Sequence, residues 1–202
     1  MTDLPPTCAV GFKEWSGVCD ALTSGQQTII LRKGGIEEGP GGFTPEHPSF
    51  WLYPTRLHES QQGLRVETKP PSPPPPPASG LGSTPIRALA VVDSIYFLDR
   101  EDALDALEPF HIWTWETVDK RFHYRRPGLW VLGVRIWSRE RPTEVPVTVE
   151  QLGCKTWVEL DPPLETAGLT PALDDSEWER RRASLAAVLG APPDAGKAGN
   201  RC

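Results

Sequence analysis

The chain has no apolar run near the roughly 18 residues that a membrane-spanning helix needs, so no span is expected anywhere in its 202 residues. It has no excess of positive charge either. Lysine and arginine total 21 against 27 aspartates and glutamates, a formal net charge of −6. A protein that coats nucleic acid indiscriminately carries the opposite balance. The four cysteines, Cys8, Cys19, Cys154 and Cys202, form no CxxC pair and no zinc-ligand spacing. They read as reduced thiols of a cytoplasmic protein. The first residues show no basic start and no apolar h-region, so no secretory signal is expected. The phosphate-loop pattern, the HExxH and HxH metal patterns and the nucleophile elbow are all missing. No metal and no cofactor is implied.

What is abundant is tryptophan and proline, eight and 23 residues respectively. Each indole adds a large apolar area to a core. The prolines cluster: Pro70, Pro71 and the run Pro73 to Pro77 mark a polyproline II linker over 69–83, an extended spacer or a docking segment for a protein partner. Residues 1–7 read as a loose lead and 8–165 as a single α+β domain interrupted by that linker. Residues 166–202 read as a C-terminal helix and disordered tail. Mixed strands and helices without a βαβ rhythm predict an α+β fold, a small curved mixed sheet or partial barrel with flanking helices.

Local patterns place the elements. Phe12, Trp15, Cys19 and Leu22 recur at helical spacing, with Ser24-Gly25 as the stop. Thr28 to Leu31 and Phe50 to Tyr53 read as strands, and Thr55 as the cap of a helix running toward Val66. Asp99 would cap a short helix ending before Pro109. His111 to Trp115 alternates like a strand, Glu116 to Phe122 makes a helical turn or two, and Leu129 to Trp137 is the clearest strand. Val145 to Val149 reads as an edge strand, and Cys154 to Leu160 as another, stopped by Pro162-Pro163. Asp174 or Ser176 caps a last helix that ends at Gly190.

Several clusters carry polar chemistry. Arg32-Lys33-Gly34-Gly35 would let backbone approach a phosphate, or is a solvated strand end with a tight turn. Glu46, His47, Tyr53 and His58 hold two imidazoles and a carboxylate, without a recognised metal spacing. His111, Trp113, Trp115, Arg121, His123, Tyr124, Arg125 and Arg126 interleave aromatic rings with cations, as a single-stranded nucleic-acid platform requires, although a core role for Trp113 or Trp115 competes. This run is also locally basic: seven Lys/Arg against three acids between His111 and Arg141. Lys155, Trp157 and Glu159 share one strand face and would line a groove or form a surface charge ladder. Glu67-Thr68-Lys69 matches half of a nuclease metal motif but abuts the linker.

The chain also resembles a bacterial family catalogued as domain of unknown function 1802. The resemblance rests on Lys13-Glu14-Trp15, on Leu31 to Ile36, on Leu52-Tyr53-Pro54-Thr55, on Pro109 to Thr114 and on Gly153 to Leu160. The family has no established activity and assigns no catalytic residue. Some members look fused to restriction-type nucleases, which implies a DNA-linked or defence setting for those members.

Three functions follow as expectations. The first is a cytoplasmic accessory module that binds nucleic acid or a nucleotide through Arg32, Lys33, His111, Arg125, Lys155 and Trp157, linked to restriction or defence. The second is a metal-assisted or acid–base hydrolase of a phosphoester or nucleotide, with His47, His58, His111 and Glu159 supplying the acid–base or metal-binding groups. The third is a protein-interaction domain anchored by exposed tryptophan or the proline run.

Overall fold

A computed structural model describes residues 4–33, 45–55, 63–65, 81–153 and 155–192. Seven strands form one sheet: β1 (Thr7–Trp15), β2 (Ile29–Arg32), β3 (Ser49–Thr55), β4 (Ser83–Leu98), β5 (Leu129–Pro146), β6 (Trp157–Glu165) and β7 (Thr170–Pro171). Among the described residues three α-helices accompany them: α1 (Ser16–Thr23), α2 (Trp115–His123) and α3 (Asp175–Leu189). The strand order is β2-β5-β4-β3-β1-β6, with β7 on β5. β1 and β3 run parallel and the other pairs are antiparallel.

The long β4–β5 ladder is the spine, running from Ser83 opposite Pro146 to Leu98 opposite Leu129 with two register shifts. Phe50 on β3 pairs with Ala90 on β4, so the chain before and after the proline-rich stretch shares one sheet. Residues 69–80 of that stretch lie outside the described residues, and its last residue, Ser83, already belongs to β4.

The sheet buries both faces, which is why Phe50-Trp51-Leu52-Tyr53 shows no polar alternation. Phe50 and Leu52 join a core covered by Leu22 of α1, Val118 and Phe122 of α2 and Leu185 of α3. Trp51 and Tyr53 point the other way, into a second core built from strand residues: Cys8, Ile86, Leu89, Val145, Val158 and Leu160. A core with no helix in it requires the sheet to curl over itself, and the mixed sheet is curved but not closed into a barrel. The expected α+β class and curved sheet are what the structure has. No helix among the described residues is long and apolar enough to cross a membrane.

Several expected elements differ. Phe12 and Trp15 lie on β1, not on a helix with Cys19 and Leu22; α1 starts only at Ser16. Pairing with β3 on one side and β6 on the other overrides the chance helical spacing. Leu64 bridges Trp113 in extended backbone, so Gly63 to Arg65 do not continue a helix from Thr55. Residues 101–103 and 105–110 form 3-10 turns, the first capped at Arg100 rather than Asp99, and Pro109 sits inside the second. His111 to Trp115 is not a strand: Trp113 makes one isolated bridge and Trp115 begins α2. Val145 is the far end of β5, not a separate edge strand. β6 starts at Trp157 and continues through Pro162 and Pro163 to Glu165. It lies at the sheet edge, where missing N–H groups cost no ladder bonds, and its register with β1 jumps between Glu159 and Leu164. Asp174 does cap α3, accepting from Glu177 N at 2.8 Å, and Gly190 ends it at φ 84°.

Candidate functional site

Three chain segments meet beside α2. The C-terminal end of β1 brings Glu14 and Trp15, the end of β2 brings Arg32 with Lys33 just after it, and α2 brings Arg121. Strand alternation sends Glu14 to the same face as Phe12 and leaves it 2% exposed. One carboxylate oxygen accepts the Trp15 N–H at 2.9 Å, while Oε2 has no hydrogen-bond partner among the described residues.

Arg121 is held between two indoles, 4.6 Å from the Trp15 ring centroid and 4.5 Å from that of Trp113. It also donates to Leu31 O at 3.3 Å. Burial pushes its pKa down to about 10; the Glu14 charge opposes that shift and Arg32 adds to it. The guanidinium is therefore a cation at neutral pH, enclosed between π-faces that attract it. Arg32 lies 4.6 Å over the Phe12 ring and donates to Lys13 O at 2.5 Å.

Trp15, Arg121, Lys33, Lys120, Glu116 and Tyr124 line a cleft of about 340 Å³ together with Gly63 and Thr117. Thr117 Oγ1 accepts the Gly63 N–H at 3.0 Å, which ties α2 to the segment that bridges Trp113. Lys33 has a structural duty there. Its ammonium donates to Phe122 O at 2.6 Å, to Gly128 O at 2.5 Å and to Arg126 O. It thereby satisfies carbonyls at the end of α2 and in the turn beyond, as a cation at a helix C-terminus does. Burial, then Arg126, pushes its pKa down. A second cleft of about 330 Å³ beside α1 is more apolar, lined by Cys19, Leu52, Pro54, Pro85 and Ala88; its Arg87 is paired with Asp20 at 3.0 Å.

The residues singled out from the sequence go to different places. Lys33 lines the main cleft. Trp157 packs in an aromatic group, 4.9 Å from Phe12, 5.2 Å from Phe50 and 4.7 Å from His47. Arg32 joins that group through Phe12. His111 is buried 5.5 Å from Trp113, with Nδ1 unpartnered among the described residues. Burial, then Arg65 and Arg121, pushes its pKa down to about 4. Arg125 is exposed, 5.2 Å over the Tyr124 ring and at φ 63°. Glu159 is exposed on β6, and Lys155 is exposed before that strand begins rather than on its face. His58 and the Gly34-Gly35 pair lie outside the described residues, as do Glu67 to Lys69. Trp113 is fully buried and Trp115 is 45% exposed, so the two do not share a face.

Glu101, Asp119 and His123 bring three candidate metal-ligand atoms within 4.8 Å of one another. His123 Nδ1 lies 3.1 Å from Asp119 Oδ1 and Nε2 lies 3.5 Å from Glu101 Oε2. The two nitrogens face different carboxylates, so the arrangement is an imidazole held between acids rather than a convergent ligand set.

Glu116, Lys120 and Thr117 are not among the candidates that the sequence suggests, although Glu116, Lys120 and Tyr124 follow one another at four-residue intervals. On a helix that spacing is a single stripe, and it is the legible signal. Trp15 stands out in the sequence only in a family segment and in a helical spacing that the structure does not follow. Its meeting with α2 is a tertiary fact.

Three crystal structures from Zymomonas mobilis are similar in shape. ASCH has 14% identity and a TM-score of 0.40, covering 87% of this chain and 94% of that one. A tyrosine-to-phenylalanine mutant of the same ASCH protein has 11% identity and a TM-score of 0.44, covering 87% and 96%. A serine-to-alanine mutant of it has 14% identity and a TM-score of 0.41, covering 90% and 99%. No curated protein matches by sequence. The chain belongs to the family described as Domain of unknown function (DUF1802), whose sequence model matches residues 11–184.

Proposed function

We propose that this member of the Domain of unknown function 1802 family binds a nucleotide, free or within a single-stranded nucleic acid, in the cleft beside α2. The observation that carries the reading is the lining itself: Trp15 and Tyr124 stand beside Lys33, Lys120 and Arg121 in one cleft of about 340 Å³. Aromatic faces accept stacked bases and exposed Lys120 is placed to contact phosphate, while Lys33 and Arg121, held by carbonyls and indoles, add positive field. The volume is in the range of small-ligand sites. With a net charge of −6 for the whole chain, the attraction is local to these cations and sensitive to salt. An accessory role in restriction or defence, implied by the family resemblance, belongs to the same proposal.

The test is fluorescence anisotropy of a labelled single-stranded oligonucleotide across a salt series, with wild type, Lys120→Glu and Tyr124→Ala. Both side chains are exposed, so melting temperatures should stay within a degree or two. Affinity should fall as salt rises, and each substitution should weaken it about tenfold, the effect of losing one stacked base or phosphate contact. Binding that ignores salt and both substitutions sinks the reading.

A further inference from the structure

We infer that the cleft reads the sugar: Glu116 accepts a hydrogen bond from a ribose 2′-hydroxyl and makes the partner single-stranded RNA rather than DNA. This rests on the binding reading above and goes beyond it in naming the partner.

Glu116 is the carboxylate among the cleft's described lining residues, and it faces the same space as Lys33, Lys120 and Arg121. It is exposed at the start of α2, with Lys120 one turn further on. Among the described residues neither has an ion-pair partner, whereas Glu101 and Asp119 take His123 and Glu108 takes Arg65. An ionised carboxylate only accepts hydrogen bonds. It repels phosphate, so it can serve a nucleic acid only where the ligand presents a neutral donor.

The helix sets where that donor is. Glu116 and Lys120 stand one turn of about 5.4 Å apart on α2, and Tyr124, which caps the helix, follows four residues on, as acceptor, cation and ring. A strand of RNA presents matching partners in the same order: a 2′-hydroxyl, the 3′-phosphate beside it, and the base of the following nucleotide. With phosphate at Lys120 and a base on Tyr124, the preceding sugar falls to Glu116. A base stacked on Tyr124 keeps its own amino groups about two turns away from that carboxylate. The 2′-hydroxyl is the group that separates RNA from DNA at such a position.

The experiment measures the affinity of same-sequence RNA, DNA and 2′-O-methyl RNA strands, with wild type and Glu116→Ala. Wild type should bind RNA about tenfold tighter than the other two, the effect of one hydrogen bond to a charged acceptor. In Glu116→Ala the ratio should collapse toward one while the melting temperature holds. Equal wild-type binding of RNA and DNA overturns the inference, and so does a preference that survives the substitution. A preference tracking base identity instead of the 2′-hydroxyl overturns it as well. If no strand binds at all, the cleft reading itself falls, which is a different result from binding without sugar preference.

Discussion

The guanidinium of Arg121 lies 4.5 Å from the centre of the Trp113 ring. One cation on α2 is thereby fixed to a fully buried indole of the segment that precedes the helix, and through Trp15 to the end of β1. The cleft's cationic wall is thus continuous with the core. Its position does not depend on the flexible stem that ordinarily makes arginine mobile.

That relationship predicts a cost. Arg121→Ala removes a stacked cation and leaves the Glu14 carboxylate without its nearby opposite charge, so denaturant unfolding should show a loss of about 2–4 kcal/mol. The double substitution Glu14→Gln with Arg121→Leu should recover part of that loss, because the buried carboxylate is removed together with its cation. Additive losses in the double variant would contradict the coupling.

Lys33 is predicted to hold the turn after α2. Lys33→Met deprives the Phe122, Arg126 and Gly128 carbonyls of their donor. Amide exchange over residues 124–128 should quicken while the β4–β5 ladder keeps its protection, with a stability loss of about 2 kcal/mol. Uniform exchange across both regions would argue against a local role.

His111 gives a pH dependence with a definite sign. Its folded-state pKa of about 4 lies below the ordinary 6.5, so the unfolded chain takes up the proton first as pH falls. The stability is fully present above about pH 6.5 and is lost progressively down to about pH 4, by up to about 3 kcal/mol. Urea midpoints measured across that window should flatten in His111→Gln relative to wild type. An identical slope in both proteins would remove His111 as the cause.

Gly133 tests the packing of the sheet at the β4 register shift. A Cβ there would lie 2.3 Å from Ser94 Oγ and 3.2 Å from Leu185. Gly133→Ala should cost about 1–3 kcal/mol. Adding Ser94→Ala removes the nearest clash and should return most of it in thermal melts; failure of that rescue would place the strain elsewhere.

Much of the framework was legible because local rules decide it. β2, β3 and β5 announce themselves by dense β-branched and aromatic runs, and α3 by the Asp174 cap and Gly190 stop. Where tertiary pairing outweighs local pattern, the sequence misleads. Phe12 and Trp15 carry helical spacing yet sit on β1, because β3 and β6 supply its backbone hydrogen bonds. Trp113 and Trp115 alternate like a strand, yet one is core and the other opens α2.

The same division holds for the site. Composition and short-range spacing encode the α+β class, the caps of α3, the family and a basic, aromatic stretch around Arg121 and Tyr124. Only the tertiary structure decided that Trp15 and Lys33 come to that stretch while Trp157, His47 and His111 are taken up elsewhere. Contacts between β1, β2 and α2 join distant parts of the chain; Lys33 and Phe122, for example, are 89 positions apart. Short-range periodicity carries no record of which distant side chains will share a cleft.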